Sequence, residues 1–365
     1  MPGVSIGSGL SVGRGLSRGA GFAGGYATPT INAQFALTGA LPTGMTFTRA
    51  SSGTRYNSAG VLVTETTDVA RFDYVPSTLA ARGLLIEEAR TNIVAALTSW
   101  SLIAITRTAG AVISPEGTLN GVKIATDGTS SAHYVFNSAA ISANNPYTMS
   151  SFVKTAEYNT PLFWLLNAAT ADRVQGSFNS TTGAVNSGPT PAGSAAFTSV
   201  SSAVQTINNA WFRPTLTGTT TGGAITLQSR LHPQNNAGTY TGTAGDGSYF
   251  YLPVTELGSF ATSPIAPSST RAADIAIFTG ASFSSWYPAT QGTIVVQFDS
   301  PASSVSGNRT VWAVDDNSAN NAMILRCEGT SLIFRAFVGG VEVVTLTLGT
   351  VASGTQYKAA IAYAT

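Results

Sequence analysis

The chain has few charged side chains and few side chains that bind metals or form disulfides. Only 10% of its 365 residues are charged, its formal net charge is +1, and it contains one cysteine, Cys327, and two histidines, His133 and His232. A single cysteine excludes an intrachain disulfide, and two isolated histidines do not make a zinc site. A net charge near zero gives no electrostatic basis for nucleic acid as a partner. Stability must therefore come from packing, with Cys327 expected as a small buried apolar residue.

Long apolar runs are also missing. No stretch approaches the roughly 18 apolar residues of a membrane-spanning helix, and residues 1–25 lack the apolar segment of a signal peptide. We therefore expect no membrane insertion. The sequence predicts a protein that is made in a cytoplasm and leaves it by a route other than secretion.

Short β-strands are what the composition favours instead. Helix-forming Lys, Glu and Gln are scarce, whereas Thr, Val, Phe and Tyr are common. Apolar segments separated by turn clusters at roughly 8–12 residues are typical of sandwiches and jelly rolls. The sequence predicts an all-β chain with a short β module at 45–96, a jelly-roll-type β-sandwich at 97–257, a linker at 258–290 and the incomplete start of a second β-sandwich at 291–365.

A glycine-rich segment precedes these units. Three repeats of the form G-x-G-(Leu/Phe)-x-x begin at Gly7, Gly13 and Gly19, and paired glycines at this spacing do not sustain a helix. Residues 1–44 are therefore either an extended arm that contacts another protein or a flexible leader. The candidate anchor contacts of the arm are Leu10, Arg14, Leu16, Arg18 and Phe22.

Two adjacent carboxylates, Glu87 and Glu88, stand out in a chain with so few charges. A glycosidase needs two carboxylates about 5–10 Å apart that face the same sugar. Neighbouring residues of a strand point to opposite faces, so this pair is unsuited to one substrate. We expect no catalytic residue here and predict a structural charge network, with Arg71 and Arg82 as further possible partners. Its candidate members are Glu87, Glu88, Arg90, Arg271 and Asp274.

Aromatic side chains beside turns are the better candidates for binding chemistry. Trp and Tyr rings stack on the apolar faces of sugars, and neighbouring polar groups bind the hydroxyls. Tyr158, Tyr240 and Trp286 lie next to turns and are the candidate glycan contacts. Trp164 and Trp211 lie within apolar strands and are expected in the core.

Two acidic turns offer the best candidate calcium ligands. Asp246 and the run Asp315-Asp316-Asn317 carry oxygen ligands of the kind that calcium prefers. The same residues are also common in turns without any metal. We expect no cofactor, with calcium as the alternative.

Several blocks resemble a known family. Phe47-Thr-Arg-Ala-Ser-Ser-Gly-Thr-Arg-Tyr-Asn-Ser-Ala-Gly-Val-Leu62, Arg71-Phe-Asp-Tyr74 and Gly83-Leu-Leu-Ile-Glu-Glu-Ala-Arg-Thr-Asn92 resemble a module of tailed-bacteriophage virion proteins, the tail fibres, head fibres and carbohydrate-binding appendages. Blocks at 245–263 and 270–274 are similar to the end of the carbohydrate-binding-module-like sandwich that follows in such proteins. A laminin-G-like or concanavalin-like sandwich then often comes next, as residues 291–365 suggest.

The resemblance spans about residues 45–365 and implies a function. It implies a non-enzymatic virion component that is anchored by its N-terminus to capsid, portal, collar or baseplate proteins, contacts host-surface polysaccharide and forms a homotrimer. Two alternatives stay open: a capsid or collar decoration protein without a ligand, and a tailspike-type glycan depolymerase whose catalytic part lies outside these residues.

Overall fold

The structure, a computed structural model, describes residues 3–6, 10–12, 31–193, 197–222, 225–236, 238–299, 308–352 and 354–364, the first two ranges by their backbone only. Within these ranges, helix is confined to α1 (Phe35–Thr38), α2 (Ala281–Ser284) and a 3-10 turn at Leu97–Ser99. All paired strands are antiparallel, so the predicted all-β fold class is confirmed. No described helix is long and apolar enough to cross a membrane.

Short strands come first along the chain. They are β1 Gly3–Ile6, β2 Leu10–Val12, β3 Thr46–Thr48, β4 Gly53–Tyr56, β5 Leu62–Glu65, β6 Phe72–Tyr74, β7 Ala81–Ile86 and β8 Arg90–Thr91. Strands β4 and β5 pair with each other as a hairpin. Tyr56 and Leu62 of this hairpin pack with Phe152 and Trp211, which belong to the unit that follows.

Two six-stranded sheets form the unit that follows, which we call the first sandwich. Its strands are β9 Ser101–Ile103, β10 Ile105–Ile113, β11 Leu119–Thr126, β12 Ser130–Ser131, β13 Tyr134–Ile141, β14 Pro146–Thr155, β15 Leu162–Asn167, β16 Arg173–Phe178, β17 Val185–Ala192, β18 Thr198–Thr206, β19 Phe212–Thr219, β20 Ile225–His232, β21 Tyr240–Thr241 and β22 Gly247–Leu257. One sheet has the order β10-β11-β22-β14-β19-β18 and the other β17-β16-β15-β20-β13-β9, and β12 pairs with β21.

The core of the first sandwich lies between its two sheets. On β15, Phe163 and Leu165 point into this core, where they meet Met149 and Phe250 of the opposite sheet. Trp164 lies between them in sequence and points to the other side of its sheet, as the two-residue period of a strand requires.

Two further sheets form the second sandwich. The remaining strands are β23 Thr270–Arg271, β24 Ile275–Thr279, β25 Gln291–Asp299, β26 Asn308–Asp315, β27 Ala322–Glu328, β28 Ser331–Val338, β29 Val341–Thr350 and β30 Gln356–Ala364. The seven-stranded sheet has the order β29-β28-β27-β26-β1-β24-β3, and the five-stranded sheet has the order β30-β25-β2-β7-β6. Leu84 and Phe298 of one sheet pack with Phe278 and Leu325 of the other, and Cys327 is buried in the same core, as expected.

Sheet pairing joins segments that are far apart in sequence. β1 lies between β24 and β26, and β2 lies between β7 and β25. The segment 258–290, predicted as a linker, contributes β24 to the seven-stranded sheet. Strands from both ends of the described chain therefore build one sandwich.

The first sandwich is inserted into the second. β8 pairs with β23, with Arg90 opposite Arg271, so the chain leaves and re-enters the second sandwich at adjacent points. Next to this ribbon, Asn92 is fully buried. Its Nδ2 donates to the carbonyls of Pro253 and Ile265, both at 3.1 Å, and its Oδ1 accepts from the N–H groups of Thr255 at 3.1 Å and Val94 at 3.2 Å.

The Asn92→Ala variant tests this connection. Because it leaves several buried backbone groups without partners, we expect the free energy of unfolding to fall by about 3 kcal/mol or more. Chemical denaturation followed by intrinsic fluorescence measures the loss. Thr91→Ala is the matched control, since Thr91 is exposed and should change stability little. Equal stability of Asn92→Ala and the unchanged chain would contradict this role for the amide.

Candidate functional site

A buried charge network lies where the two sandwiches meet. Glu87 directly follows β7 and Asp274 directly precedes β24, so the ends of two strands bring the carboxylates together. Arg71 pairs with both, with Nη1 at 2.8 Å from Glu87 Oε2. Arg49 Nη1 lies 3.2 Å from Asp274 Oδ1, and Arg271 Nη1 lies 3.3 Å from Glu87 Oε2. We call these five residues the junction network; all five are buried.

Thr262 and Ser263 connect the junction network to the first sandwich. Ser263 donates its N–H to Glu87 Oε1 at 2.7 Å and its hydroxyl to Oε2 at 2.6 Å. Thr262 donates its N–H and hydroxyl to the two carboxylate oxygens of Glu256 on β22, at 2.9 and 2.7 Å. The Thr262 carbonyl accepts from Arg213 Nη1 of β19 at 2.8 Å. Two consecutive residues therefore bind both sandwiches.

The electrostatics keep Glu87 ionised. Burial alone raises the pKa of this carboxyl, but the charges of Arg271 and Arg71 and the hydrogen bonds from Ser263 outweigh it and lower the pKa to about 2. Both carboxylate oxygens already accept hydrogen bonds from the protein. A group with so low a pKa and occupied oxygens is suited to holding cations in place, not to proton transfer.

Glu88 lies in a different environment. Its Oε1 accepts from Arg90 Nε at 2.7 Å, and its side chain is 39% exposed. Arg90 in turn lies over the ring of Phe260, 5.0 Å from the centroid. The structure thus brings Glu87, Arg271 and Asp274 together, and it places Glu88 and Arg90 in a separate pair beside them.

The ion-pair partners of two arginines, Arg82 and Arg49, differ from what the sequence predicted. Arg82, a possible partner of the network, instead lies 3.5 Å from Asp73 and 3.3 Å from Asp299. Arg49 was not predicted as a member of the network, but it pairs with one carboxylate oxygen of Asp274. It also donates to the carbonyls of Ser51 at 2.8 Å and Thr66 at 2.7 Å. The one sign of this role in the sequence is that Arg49 lies in the Phe47–Leu62 block, which resembles virion proteins.

The three predicted glycan contacts do not share one site. Tyr158 and Tyr240 belong to the first sandwich, where Tyr240 is half-buried and lies edge-on to the ring of His133 at 4.5 Å. Trp286 belongs to the second sandwich and packs against Phe278 at 5.4 Å and Phe283 at 5.3 Å between ring centroids. Its ring lies against the core of that sandwich.

The predicted anchor contacts lie mostly outside the described residues. Leu10 lies in β2, where its backbone is in register with Ile86 of β7. Arg14, Leu16, Arg18 and Phe22 lie outside the described residues.

The carboxylates of Asp315 and Asp316 accept hydrogen bonds within their own turn, whereas the bond at Asp246 joins its backbone carbonyl to a strand outside the turn. Asp315 Oδ1 accepts from the Asn317 N–H at 2.9 Å, and Asp316 accepts from Ser318 and from Asn321 Nδ2 at 2.7 Å. The carbonyl of Asp246 accepts from the Thr126 N–H at 2.9 Å. No group of three or more His, Cys, Asp or Glu residues that could hold a metal ion occurs among the residues described.

The sequence did not predict a cluster of side chains on the outer face of the first sandwich. Strand alternation on β13, β20, β15 and β16 places Tyr134, Arg230, His232, Trp164 and Arg173 on the side away from the core. We call these five residues the outer aromatic cluster. Trp164 could not be assigned to this face from sequence because Leu162–Leu166 is apolar at every position.

Cation–π contacts organise the outer aromatic cluster. The guanidinium carbon of Arg173 lies 4.5 Å from the Trp164 ring centroid, and that of Arg230 lies 4.4 Å from Tyr134 and 5.4 Å from Trp164. His232 packs 4.7 Å from Trp164 and 5.1 Å from Tyr134. Burial, then the charge of Arg230, lowers the pKa of His232 to about 3, so the imidazole is neutral near pH 7.

Glu87→Gln tests the junction network. Removing one charge from a buried set leaves its arginines uncompensated, so we expect the free energy of unfolding to fall by about 3–5 kcal/mol. In the unchanged chain, the folded pKa of Glu87 lies below its ordinary value of 4.5, so the stability from ionised Glu87 is present above about pH 4.5 and is lost as the pH falls towards 2. The variant should lose that part of the acid dependence.

Urea denaturation at several pH values between about pH 6 and about pH 3 measures both effects. Glu88→Gln is the matched control, and its effect should be small because the Glu88–Arg90 pair is partly exposed. Similar losses for the two variants, or an unchanged acid dependence in Glu87→Gln, would show that Glu87 does not have this role.

Comparison of the sequence with protein-family models and with curated proteins finds no match.

Proposed function

We propose that the protein is a non-enzymatic structural component of a bacteriophage virion, a tail-fibre, head-fibre or appendage protein that contacts host-surface glycans. One observation carries this proposal: residues from the sequence blocks that resemble virion proteins meet in one buried charge network. Arg71, Glu87, Arg271 and Asp274, which fall in the blocks that resemble virion appendage proteins, all belong to the junction network. These four residues join the ends of β7 and β24 and, through Ser263, bind the segment that leads from the first sandwich.

The state of the acidic residues favours binding over hydrolysis. Glu87 is buried, has a pKa of about 2 and is fully engaged with Arg71, Arg271 and Ser263. Glu88 pairs with Arg90 outside the network. A glycosidase requires two carboxyls that face the same sugar, and Glu87 is enclosed by its protein partners whereas Glu88 lies outside the network.

A rigid connection between two sandwiches suits an appendage. A fibre protein must hold its binding surface in a fixed direction relative to the particle. The β8–β23 ribbon, the Asn92 amide and the junction network together fix the inserted sandwich at several points. In this proposal the N-terminal residues attach to a capsid, portal, collar or baseplate protein, the chain forms a homotrimer, and the protein is located in the virion.

Two measurements on the full chain test the proposal. Antibodies against the chain should label an appendage in electron micrographs of phage particles that carry its coding sequence. The purified chain should also bind the surface polysaccharide of the bacterium that the phage infects, without shortening it in size-exclusion chromatography.

Each measurement has an outcome that would contradict the proposal. Particles without label would overturn the virion assignment. Labelled particles whose protein does not bind polysaccharide would support a decoration protein instead, and shortened polysaccharide would support a depolymerase.

A further inference from the structure

We infer that the outer aromatic cluster of the first sandwich binds an anionic polysaccharide, whose carboxylate, sulfate or phosphate groups pair with Arg173 and Arg230. The inference deepens the proposed function, on which it rests, by naming the binding face and the class of glycan.

The pairing register of β13, β20, β15 and β16 places the side chains of this face next to one another. Trp164 on β15 lies opposite Arg230 on β20 and Gln175 on β16, and Arg230 lies opposite Phe136 on β13. One row of side chains therefore crosses four strands, a width of about 14 Å at the usual strand spacing. Ser138 and Ala140, further along the same face of β13, are exposed, so the row lies on the outside of the molecule.

No described carboxylate neutralises the guanidinium groups of Arg173 and Arg230. Arg173 Nε donates to Gln175 Oε1 at 2.9 Å, and Arg230 donates from Nε and Nη2 to Gln228 Oε1 at 3.0 and 2.7 Å. Among the described residues, neither arginine forms an ion pair with a carboxylate. Both side chains are half-buried, so each guanidinium retains N–H groups that can reach a ligand at the surface.

The two cations lie close enough to affect each other. Burial lowers the pKa of the Arg230 guanidinium, and the charge of Arg173 lowers it further against the opposing effect of Tyr134. An anion bound between them would offset this repulsion. Guanidinium groups recognise carboxylate, sulfate and phosphate through paired N–H donors, and the Trp164 and Tyr134 rings hold these groups in place before a ligand arrives.

Two buried rings lie beneath the arginines. His232 is 1% exposed and packs 4.7 Å from the ring of Trp164, which is 6% exposed. The indole N–H of Trp164 has no hydrogen-bond partner among the described residues. The buried Trp164 ring therefore gives both guanidinium groups a fixed aromatic support.

A polysaccharide fits this face better than a nucleic acid. Half-buried Tyr134 and Phe136 lie beside the arginines, with ring centroids 5.9 Å apart, and offer apolar surface for sugar rings. The face holds two cations, whereas a nucleic-acid surface makes many phosphate contacts, and the formal net charge of the chain is only +1.

The test uses full-length protein and three polymers that share one backbone: dextran, carboxymethyl-dextran and dextran sulfate. We expect calorimetry to detect binding to at least one charged polymer, with affinity at least tenfold above that for dextran and weaker at higher salt. The double variant Arg173→Gln/Arg230→Gln should lose at least tenfold in affinity, since charge-assisted hydrogen bonds contribute most of the attraction.

Two control variants make the result specific. Arg82→Gln/Arg326→Gln removes the same charge from partly exposed arginines outside the first sandwich and should leave affinity unchanged. Arg173→Lys/Arg230→Lys keeps the charge without the planar donors and should bind at an intermediate level, which also covers the case in which the Gln variant fails to fold.

The opposing outcomes separate the inference from the proposed function. Undiminished binding by the Gln variant, or binding to dextran equal to that of the charged polymers, would overturn the inference and leave a glycan-binding appendage possible. Equal binding of single-stranded DNA would show a general polyanion surface and would also overturn it. Unlabelled phage particles would overturn the virion assignment without affecting the binding face.

Discussion

Arg71 joins the two sheets of the second sandwich to the segment that leads from the first, and the rest of the structure depends on this contact. It pairs with Glu87 and with Asp274, which is 203 residues away along the chain, and it donates to Ser263 at 2.8 Å. Replacing such a buried set by apolar residues is often neutral for stability, but removing one member is costly. The network therefore contributes mainly by specifying one arrangement. Its arginines and carboxylates can pair only when β7, β24 and the Thr262–Ser263 segment come together.

The junction network and the outer aromatic cluster treat charge differently. In the junction network, three arginines pair with two carboxylates away from solvent. In the outer aromatic cluster, Arg173 and Arg230 are held by aromatic rings and by amide oxygens, with no described carboxylate paired to them. In a protein with only 10% charged residues, this division leaves few charged side chains available to a partner.

Local patterns predicted part of this arrangement. Composition and turn spacing were sufficient for the all-β fold class. Glu87 and Glu88 lie in different environments, but strand alternation is not the cause, because β7 ends at Ile86, before both residues. Arg71, Arg271 and Asp274 were named from the sequence with Glu87, and they lie together in the structure. Ser263, which lies 176 residues from Glu87 and donates to it, was not predicted, because no local pattern marks so distant a contact. Trp286 lies beside a turn, yet α2 turns its ring against Phe278 and Phe283, which a one-dimensional pattern does not reveal.

The insertion of one sandwich into the other has a consequence for synthesis on the ribosome. The first sandwich is continuous in sequence and can complete its sheets as soon as β22 emerges. The second cannot, because β1, β2 and β3 pair with β24 and β25, which are made much later. At about 5–20 residues per second, the stretch from β7 to β24 takes roughly 10–40 s to translate. During that interval the early strands have open edges, and faster translation shortens the time for which they are exposed to wrong pairing.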